Sequence, residues 1–269
     1  MQIAIGTYDH TRALKDGSVS SPKVPLEFVE VTPITRAFRS MASDLAYDIS
    51  EMALCTYMLA KVLERPIVAL PIVLVRSSIL GALVTAGDIT DPSKLNGQTL
   101  GIRSYTQTTG VWVRGVLQDA FGVDLGSLRW VTFEGAHLDA YQDPPNVSRA
   151  PAGASLDEML RSGDLVAGIG APARDGLRTL LPDPAASEAA WSSKTGIRPV
   201  NHVVAIKREL WPLHQDIVDL FERARGGDGA SVPPIGIEPS RPAFEALTRY
   251  AHEQGITPRT LSVDELFAP

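Results

Sequence analysis

Twice along the chain, a short apolar segment with strand character runs into a loop of polar side chains, and a helical segment follows. The first polar loop, residues 6–12, follows the predicted strand at residues 2–5, and the second, residues 103–109, follows a predicted strand at Thr99–Ile102. This order is typical of α/β proteins. Because open sheets of this kind bind ligands beyond the carboxyl ends of their strands, both loops are candidate binding sites.

The remaining apolar pattern predicts further strands and helices in alternation. Strands are predicted at residues 26–31, 46–49, 67–70, 79–84, 128–133, 164–170 and 201–206, and helices at residues 34–43, 50–64, 110–121, 209–225 and 241–253. Capping boxes predict short helices after Ser155 and Ser262. Residues 134–154 lack an apolar period, so we expect a long connection there, serving as a lid or as a simple insertion.

Charge and composition exclude several classes of protein. The balance of 25 basic and 31 acidic residues gives a net charge of −6, which argues against a nucleic-acid partner. The single cysteine, Cys55, excludes an internal disulfide, and the five histidines show no ligand spacing, so we expect no metal. Because the chain has no phosphate-binding loop and no complete dinucleotide glycine motif, we also expect no cofactor.

The most membrane-like stretch, residues 67–86, is interrupted by Pro71 and contains Arg76. We interpret it as two buried strands and expect no membrane association. An unpaired charge in an apolar run is costly, so Arg76 is expected to be paired or to face a polar cleft. The first residues show no basic segment, long apolar core or cleavage site, which predicts a cytoplasmic protein.

Two histidines are candidate proton donors. A carboxylate such as Asp9, adjacent to His10, can set the tautomer of an imidazole and raise its pKa. The alternative is that Asp9 caps the turn and His10 only contacts a ligand. His202, on a predicted strand, is either a second donor or a core residue. Ser50 is the predicted N-cap of a helix, which makes Glu51 either a first-turn carboxylate or a functional one.

Hydroxyl groups before the helix at residues 110–121 indicate an anion site. Thr106, Thr108 and Thr109 precede that helix, where free N–H groups and the helix dipole attract negative charge. Because the dipole contributes only about 0.3–1 kcal/mol, Arg103 or Arg114 would be needed to hold a carboxylate. A plain threonine N-cap is the alternative.

Four groups of residues between positions 6 and 206 share a pattern with one enzyme family. They are Tyr8-Asp9-His10-Thr11; Ser50-Glu51-Met52 with Thr56-Tyr57; Gly101-Ile102-Arg103 with Gly110-Val-Trp-Val-Arg-Gly115; and Thr195-Gly196-Ile197 with Pro199 and His202. Together they resemble the 4,5-dihydroxyphthalate decarboxylases. The chain departs from the family at Val75-Arg76-Ser77-Ser78, where the family pattern has Phe-Arg-His-Ser, and in residues 134–154.

The resemblance implies an α/β fold with two lobes, similar to type II periplasmic binding proteins, and a ligand cleft between the lobes. It implies that residues 1–85 and 205–269 form lobe I and that residues 86–204 form an inserted lobe II. A two-strand hinge is expected near residues 80–86 and 200–206.

The resemblance also implies a cofactor-independent, non-oxidative decarboxylation of an aromatic or heteroaromatic carboxylic acid, by protonation of a ring carbon and loss of CO2. The predicted catalytic residues are His10, supported by Asp9, and His202. The predicted substrate-binding residues are Arg12, Glu51, Arg76, Arg103, Tyr105, Thr108, Thr109, Trp112 and Arg114. The expected partner is a small aromatic carboxylate, and association into a homo-oligomer is left open. The alternatives are a non-catalytic carboxylate binder and another lyase or tailoring enzyme on the same scaffold.

Overall fold

A computed structural model describes residues 1–226 and 232–269. The chain divides into two compact units. Unit 1 comprises Met1–Arg76, Val200–Thr248 and Arg259–Pro269, and unit 2 comprises Ser77–Pro199 and Arg249–Pro258. The lobe boundaries predicted from the sequence were 85/86 and 204/205, and the two-strand hinge predicted near them stays a prediction.

Strands and helices alternate along the described chain, so the predicted α/β class is confirmed. The strands are β1 Gln2–Ala4, β2 Glu27–Phe28, β3 Ile49–Ala53, β4 Ile67–Val75, β5 Leu83–Thr85, β6 Thr99–Ile102, β7 Arg129–Thr132, β8 Val147–Arg149, β9 Ala167–Ile169, β10 Arg178–Thr179 and β11 His202–Lys207. The helices are α1 Arg12–Lys15, α2 Thr35–Asp44, α3 Leu54–Val62, α4 Thr108–Phe121, α5 Leu156–Ser162, α6 Pro184–Thr195, α7 His214–Ala224, α8 Arg241–Glu253 and α9 Val263–Phe267.

The sheet of unit 1 has the order β2-β1-β3-β11-β4 over the described residues. Strand β1 is parallel to β2 and β3, whereas β11 is antiparallel to both β3 and β4. Strands β1, β3 and β4 therefore end at the same edge of the sheet, and β11 begins there. We call this the carboxyl edge. Beneath it, Ile49, Val68 and Val204 of the sheet share a core with Leu220 and Phe221 of α7.

The structure corrects the predicted helix start at residue 50. All five residues of β3 are buried, and the Ser50 hydroxyl donates to the Glu51 carbonyl at 2.8 Å instead of capping a helix. Helix α3 begins at Leu54, after Ala53, without a side-chain cap. The apolar environment of a strand between two neighbours outweighs the local capping signal, so Glu51 is a strand residue and not a first-turn carboxylate.

Strand β4 is also longer than predicted. It runs through Pro71 as one nine-residue strand, whereas the sequence predicted separate strands at residues 67–70 and 79–84. Pro71 is tolerated because β4 is an edge strand whose pairing with β11 shifts register between Val203 and Val204. The second predicted strand shortens to β5, preceded by a 3-10 turn at Leu80–Ala82.

The sheet of unit 2 has the order β10-β5-β9-β6-β7-β8 over the described residues. Strand β6 is parallel to β7 and β9, and β7 is parallel to β8. The long connection predicted at residues 134–154 contains β8, so it also supplies the strand next to β7. Helix α4 packs closely, because a Cβ atom at Gly115 would lie 2.4 Å from the Tyr250 ring.

Several local predictions agree with the structure. Helix α8 and strand β6 have the predicted bounds, and the last turn of α8, from Arg249 onward, belongs to unit 2. Ser155 accepts from the Glu158 N–H, and Ser262 forms a full capping box with Glu265. The helix predicted at residues 209–225 is shorter, since a 3-10 segment at Arg208–Leu213 precedes α7. No helix within the described ranges has the length and apolarity needed to cross a membrane.

Candidate functional site

A carboxylate lies fully buried near the carboxyl edge of unit 1. Glu51 Oε2 accepts from the Gly6 N–H at 2.8 Å, and Oε1 accepts from the Tyr8 hydroxyl at 2.8 Å. The Nδ1 atom of His202 lies 2.6 Å from the same Oε1. Since Glu51 is the acceptor for the other two groups, we assign Nδ1–H of His202 as the donor. These bonds offset the large cost of burying a carboxylate.

Strand register brings these residues together. Glu51 on β3 faces Val204 across the sheet, and His202, two residues before Val204, faces Ala53. Residues two apart on a strand share a face, so Glu51 and His202 are diagonal neighbours on one face, within reach of long side chains. Gly6 and Tyr8 follow β1, which pairs with the other side of β3.

The His202 imidazole is hydrogen-bonded to Glu51 through Nδ1, and its Nε2 atom is left accessible. Phe38 of α2 meets the ring edge to face, with centroids 4.9 Å apart and the ring planes at 77°. The side chain is 18% exposed, and no partner for its Nε2 atom occurs among the described residues. With Nδ1 bound to Glu51, Nε2 is the ring atom available to a ligand at the carboxyl edge.

His10 lies beside this pair but in a different environment. Its ring stacks on Tyr8 at 5.3 Å between centroids with 7° between planes, and its Nε2 lies 3.1 Å from the Leu74 carbonyl. Burial lowers the pKa of His10, an effect opposed by Leu74, Glu51 and Asp9 and reinforced by the nearby positive charge of Arg225. A neutral His10 therefore donates Nε2–H to Leu74.

The expected pairing of Asp9 with His10 is wrong. The Asp9 carboxylate is 95% exposed and accepts a hydrogen bond from Arg12 at 2.9 Å. Adjacent residues on the loop point apart, so the Leu74 carbonyl, not Asp9, fixes the tautomer of His10. Burial, the largest effect on this imidazole, outweighs the upward effect of Asp9, so the pKa of His10 falls, whereas the sequence predicted a rise.

Two arginines of unit 1 contribute positive charge. Arg76, half-buried and directly after β4, donates from Nη2 to the Ser240 hydroxyl at 2.9 Å, so it is paired, as the sequence allowed. Arg225, at the C-terminus of α7, acts electrostatically on His10. Sequence reasoning missed Arg225, because an arginine at a helix C-terminus is ordinarily explained by the helix dipole. It also missed Tyr8 as a site residue, although Tyr8 lies in the first polar loop and in the motif Tyr8-Asp9-His10-Thr11.

Of the substrate-binding residues predicted in unit 2, three lie at or before the start of α4 and three lie in the core. Thr108 begins α4, with Thr109 next to it, and Arg103 pairs with Glu134 at 3.5 Å in a half-exposed position. The anion site predicted at these threonines stays a prediction. We call Gly6, Tyr8, His10, Glu51 and His202 the Glu51 cluster; all five lie in unit 1, so none of the residues predicted from unit 2 belongs to it.

Three predicted ligand contacts instead lie in the core of unit 2. Arg114 is fully buried, donates to Gln254 Oε1 at 2.6 Å and to the Tyr105 carbonyl at 2.7 Å, and lies over the Tyr105 ring at 4.0 Å. Trp112 is fully buried against Trp191. Tyr105 is 5% exposed. These side chains therefore pack within unit 2, where Tyr105 also lines a cavity with Pro144 and Gln254. That the three contact substrate stays a prediction.

The described residues contain no group of three or more His, Cys, Asp or Glu side chains that could hold a metal ion. Cys55 is buried in α3. The chemistry that the described edge offers is that of imidazole, carboxylate, phenol and guanidinium groups.

Comparison with solved structures defines the class of protein. The periplasmic aliphatic sulphonate binding protein of Escherichia coli matches with a TM-score of 0.61 at 12% identity, covering 100% of this chain and 92% of that one. The ligand-binding component of an ABC-type import system from Staphylococcus aureus matches with a TM-score of 0.53 at 12% identity, covering 100% and 94%. The fold is that of the periplasmic binding proteins, as predicted, and at these identities the likeness concerns the fold alone.

Comparison with curated proteins defines the family. A 4,5-dihydroxyphthalate decarboxylase of Comamonas testosteroni is 27% identical over 252 residues, covering 84% of this chain and 74% of that protein. The enzyme of the same name from Pseudomonas putida is 30% identical over 180 residues, covering 63% and 69%. No protein-family model matches the chain. The chain belongs to the 4,5-dihydroxyphthalate decarboxylase family, which supports a decarboxylase function.

Proposed function

We propose that this protein is a cofactor-independent, non-oxidative decarboxylase of an aromatic or heteroaromatic carboxylic acid related to 4,5-dihydroxyphthalate. The observation that carries the proposal is the buried Glu51 carboxylate, which orients His202 so that Nε2 is presented at the carboxyl edge. Family membership supports the same reaction class.

The reaction needs a proton at one ring carbon. In the proposed step the protonated imidazole of His202 gives its Nε2 proton to the ring carbon that bears the carboxylate, forming a C–H bond. The bond from that carbon to the carboxylate then breaks, its electron pair restores the aromatic ring, and CO2 leaves. His202 regains its proton from solvent. Because the electron pair stays with the ring, the step requires no external oxidant or reductant.

The remaining groups of the edge bind and orient the substrate. Glu51 holds the Nδ1 side of His202, so the imidazole keeps one orientation through the reaction. General-acid assistance of this kind contributes about 10²–10⁴-fold to a rate. Arg76 provides a guanidinium at the same edge, which suits a carboxylate or a phenolate of the substrate. His10, neutral through burial, contacts the substrate without supplying the proton.

Turnover of a panel of acids tests the proposal. Purified, chelator-treated protein is incubated with 4,5-dihydroxyphthalate and with related aromatic and heteroaromatic carboxylic acids, and substrate loss and CO2 are followed by chromatography and mass spectrometry. We expect at least one acid to lose CO2 without any added cofactor. Failure of every acid to react, together with a raised melting temperature for one of them, would overturn the proposal.

That second outcome corresponds to the other candidate function, a non-catalytic binder of a small carboxylate. It is favoured by the fold, which this chain shares with proteins named for binding. The His202→Asn variant separates the two functions. An enzyme loses product formation and keeps its affinity for the acid, whereas a binder forms no product even as wild type.

A further inference from the structure

The Tyr8 side chain contacts the Glu51–His202 pair with its hydroxyl and His10 with its ring. Its hydroxyl donates to Glu51 Oε1, the oxygen that also accepts from His202. Its ring lies parallel to the His10 ring, 5.3 Å away between centroids. A single phenol is thus linked to both imidazoles, to His10 directly and to His202 through Glu51, without taking part in the proton transfer assigned to His202.

The backbone leaves room for this placement. A Cβ atom at residue 6 would lie 2.5 Å from both Cζ and Oη of Tyr8, closer than real Cβ atoms approach their neighbours. The Gly6 N–H meanwhile donates to the other oxygen of Glu51 at 2.8 Å. The first polar loop therefore fixes the carboxylate from both sides, and glycine at residue 6 is needed for the tyrosine to reach it.

The tyrosine remains a donor over the working range of pH. Burial and the adjacent Glu51 carboxylate raise the pKa of Tyr8 well above its ordinary value. Its O–H proton is therefore retained, and the hydrogen bond to Glu51 has one fixed direction.

We propose that Tyr8 is a positioning residue that couples the two histidines, its hydroxyl fixing the Glu51–His202 pair and its ring fixing His10. The proposal rests on the function proposed above, in which His202 donates the proton and His10 contacts the substrate. The roles of the hydroxyl and of the ring can be tested separately. A phenylalanine at residue 8 keeps the ring and loses the hydroxyl, whereas a leucine loses both.

Steady-state kinetics test whether the Tyr8 hydroxyl positions the Glu51–His202 pair. In Tyr8→Phe we expect kcat to fall about 10–100-fold, the range for loss of a hydrogen bond to a charged group, with little change in KM. In Tyr8→Leu we expect KM to rise as well, because His10 loses its stacking partner. Tyr47→Phe, a half-buried tyrosine of unit 1 outside the cluster, is the matched control and should keep both constants. Wild-type kcat in Tyr8→Phe would overturn this part of the proposal.

Titration of His10 by NMR tests whether the Tyr8 ring holds the His10 imidazole in place. The charged or titratable groups that act on His10 are Glu51 of β3, Asp9 of its own loop and Arg225 after α7, with the Tyr8 phenol stacked on it. Since burial is the main cause of the lowered pKa of His10, Tyr8→Leu should move that pKa up toward its ordinary value, and Tyr8→Phe should leave it in place. An unchanged titration in the leucine variant would show that the ring does not hold His10.

A double-mutant cycle with Gly6→Ala tests the packing. The added Cβ should lower kcat strongly beside Tyr8 and much less in a Tyr8→Leu background, where the ring tip is absent. Equal effects in both backgrounds would contradict the proposal. Circular dichroism and the melting temperature of each variant confirm that the protein is folded.

The coupling through Tyr8 can also be tested without any enzymatic activity. If wild-type protein decarboxylates no acid, the Nδ1–H resonance of His202 in protein labelled with ¹⁵N-histidine still reports on the pair. It should shift in Tyr8→Phe and stay in place in Tyr47→Phe. A shift in both variants or in neither would overturn the coupling itself, independently of any reaction.

Discussion

His202 Nδ1 lies 2.6 Å from Glu51 Oε1, although 151 positions separate the two residues in the sequence. The contact joins the start of β11 to the middle of β3 and places an imidazole on a buried carboxylate. The proposed chemistry of the protein depends on this contact.

Replacing the carboxylate by an amide should impair catalysis. Glu51→Gln keeps the shape of the side chain, but a glutamine has a single carbonyl oxygen, so Gly6, Tyr8 and His202 can no longer all find acceptors. We expect kcat to fall by about 10²–10⁴-fold, measured as CO2 release. Glu27→Gln, an exposed position on β2, serves as the control and should have no effect. Unchanged turnover in Glu51→Gln would remove Glu51 from its orienting role.

The burial of His10 predicts a loss of stability in acid. Because its pKa is lowered in the folded protein, the unfolded chain binds the proton more readily. The free energy of unfolding therefore decreases as pH falls through the ordinary value of 6.5 toward the lower folded-state pKa. His10→Asn should lose less stability than wild type between about pH 7.5 and about pH 5, measured by urea unfolding. Equal losses would show that His10 titrates normally.

Arg114 should behave as a structural residue of unit 2. Arg114→Lys shortens the donor array, so Gln254 and the Tyr105 carbonyl lose the hydrogen bonds that they accept from the guanidinium. We expect the free energy of unfolding to fall by about 3–6 kcal/mol, because two hydrogen bonds to a buried charged group, each contributing about 1.5–3 kcal/mol, are lost. Arg103→Lys, half-exposed in the same unit, is the control. A substrate-binding role would instead raise KM and leave the urea midpoint unchanged.

Close packing of α4 predicts a second loss of stability in unit 2. In Gly115→Ala, the new methyl group would meet the Tyr250 ring at 2.4 Å, which forces the ring or the helix to move. We expect a cost of about 1–3 kcal/mol in urea unfolding, typical of overpacked cores. Ala120→Ser, exposed on the same helix, should change little. An unaffected Gly115→Ala variant would mean that α4 adapts at no cost.

Much of the fold was predictable because local chemistry and tertiary structure agree. Strand β6 and helix α8 have strong periodicity and clear ends, and the structure keeps both sets of bounds. Local signals failed where burial dominates. Ser50 carries a capping signal, yet its segment forms a fully buried strand between β1 and β11. Pro71 marks a strand end by composition, but an edge strand with shifted register accommodates it.

The sequence predicted three residues of the candidate site but neither Tyr8 nor the hydrogen bonds that join the site together. His10, Glu51 and His202 each stand out as polar groups beside predicted strands. Which carboxylate serves which histidine depends on the antiparallel register of β3 and β11, which sequence order does not reveal. Asp9, adjacent to His10, is the closer carboxylate in sequence and is nevertheless turned toward Arg12.

In the proposed reaction, His202, held by Glu51, protonates the ring carbon that loses CO2. The most direct measurement compares wild type and His202→Asn in D2O, with the acid that the panel identifies as a substrate. We predict that wild type yields a product with one deuterium at the vacated ring position. His202→Asn should lower kcat by about 10²–10⁴-fold and leave KM within a few-fold of wild type. A His202→Asn variant with wild-type kcat would show that another group supplies the proton.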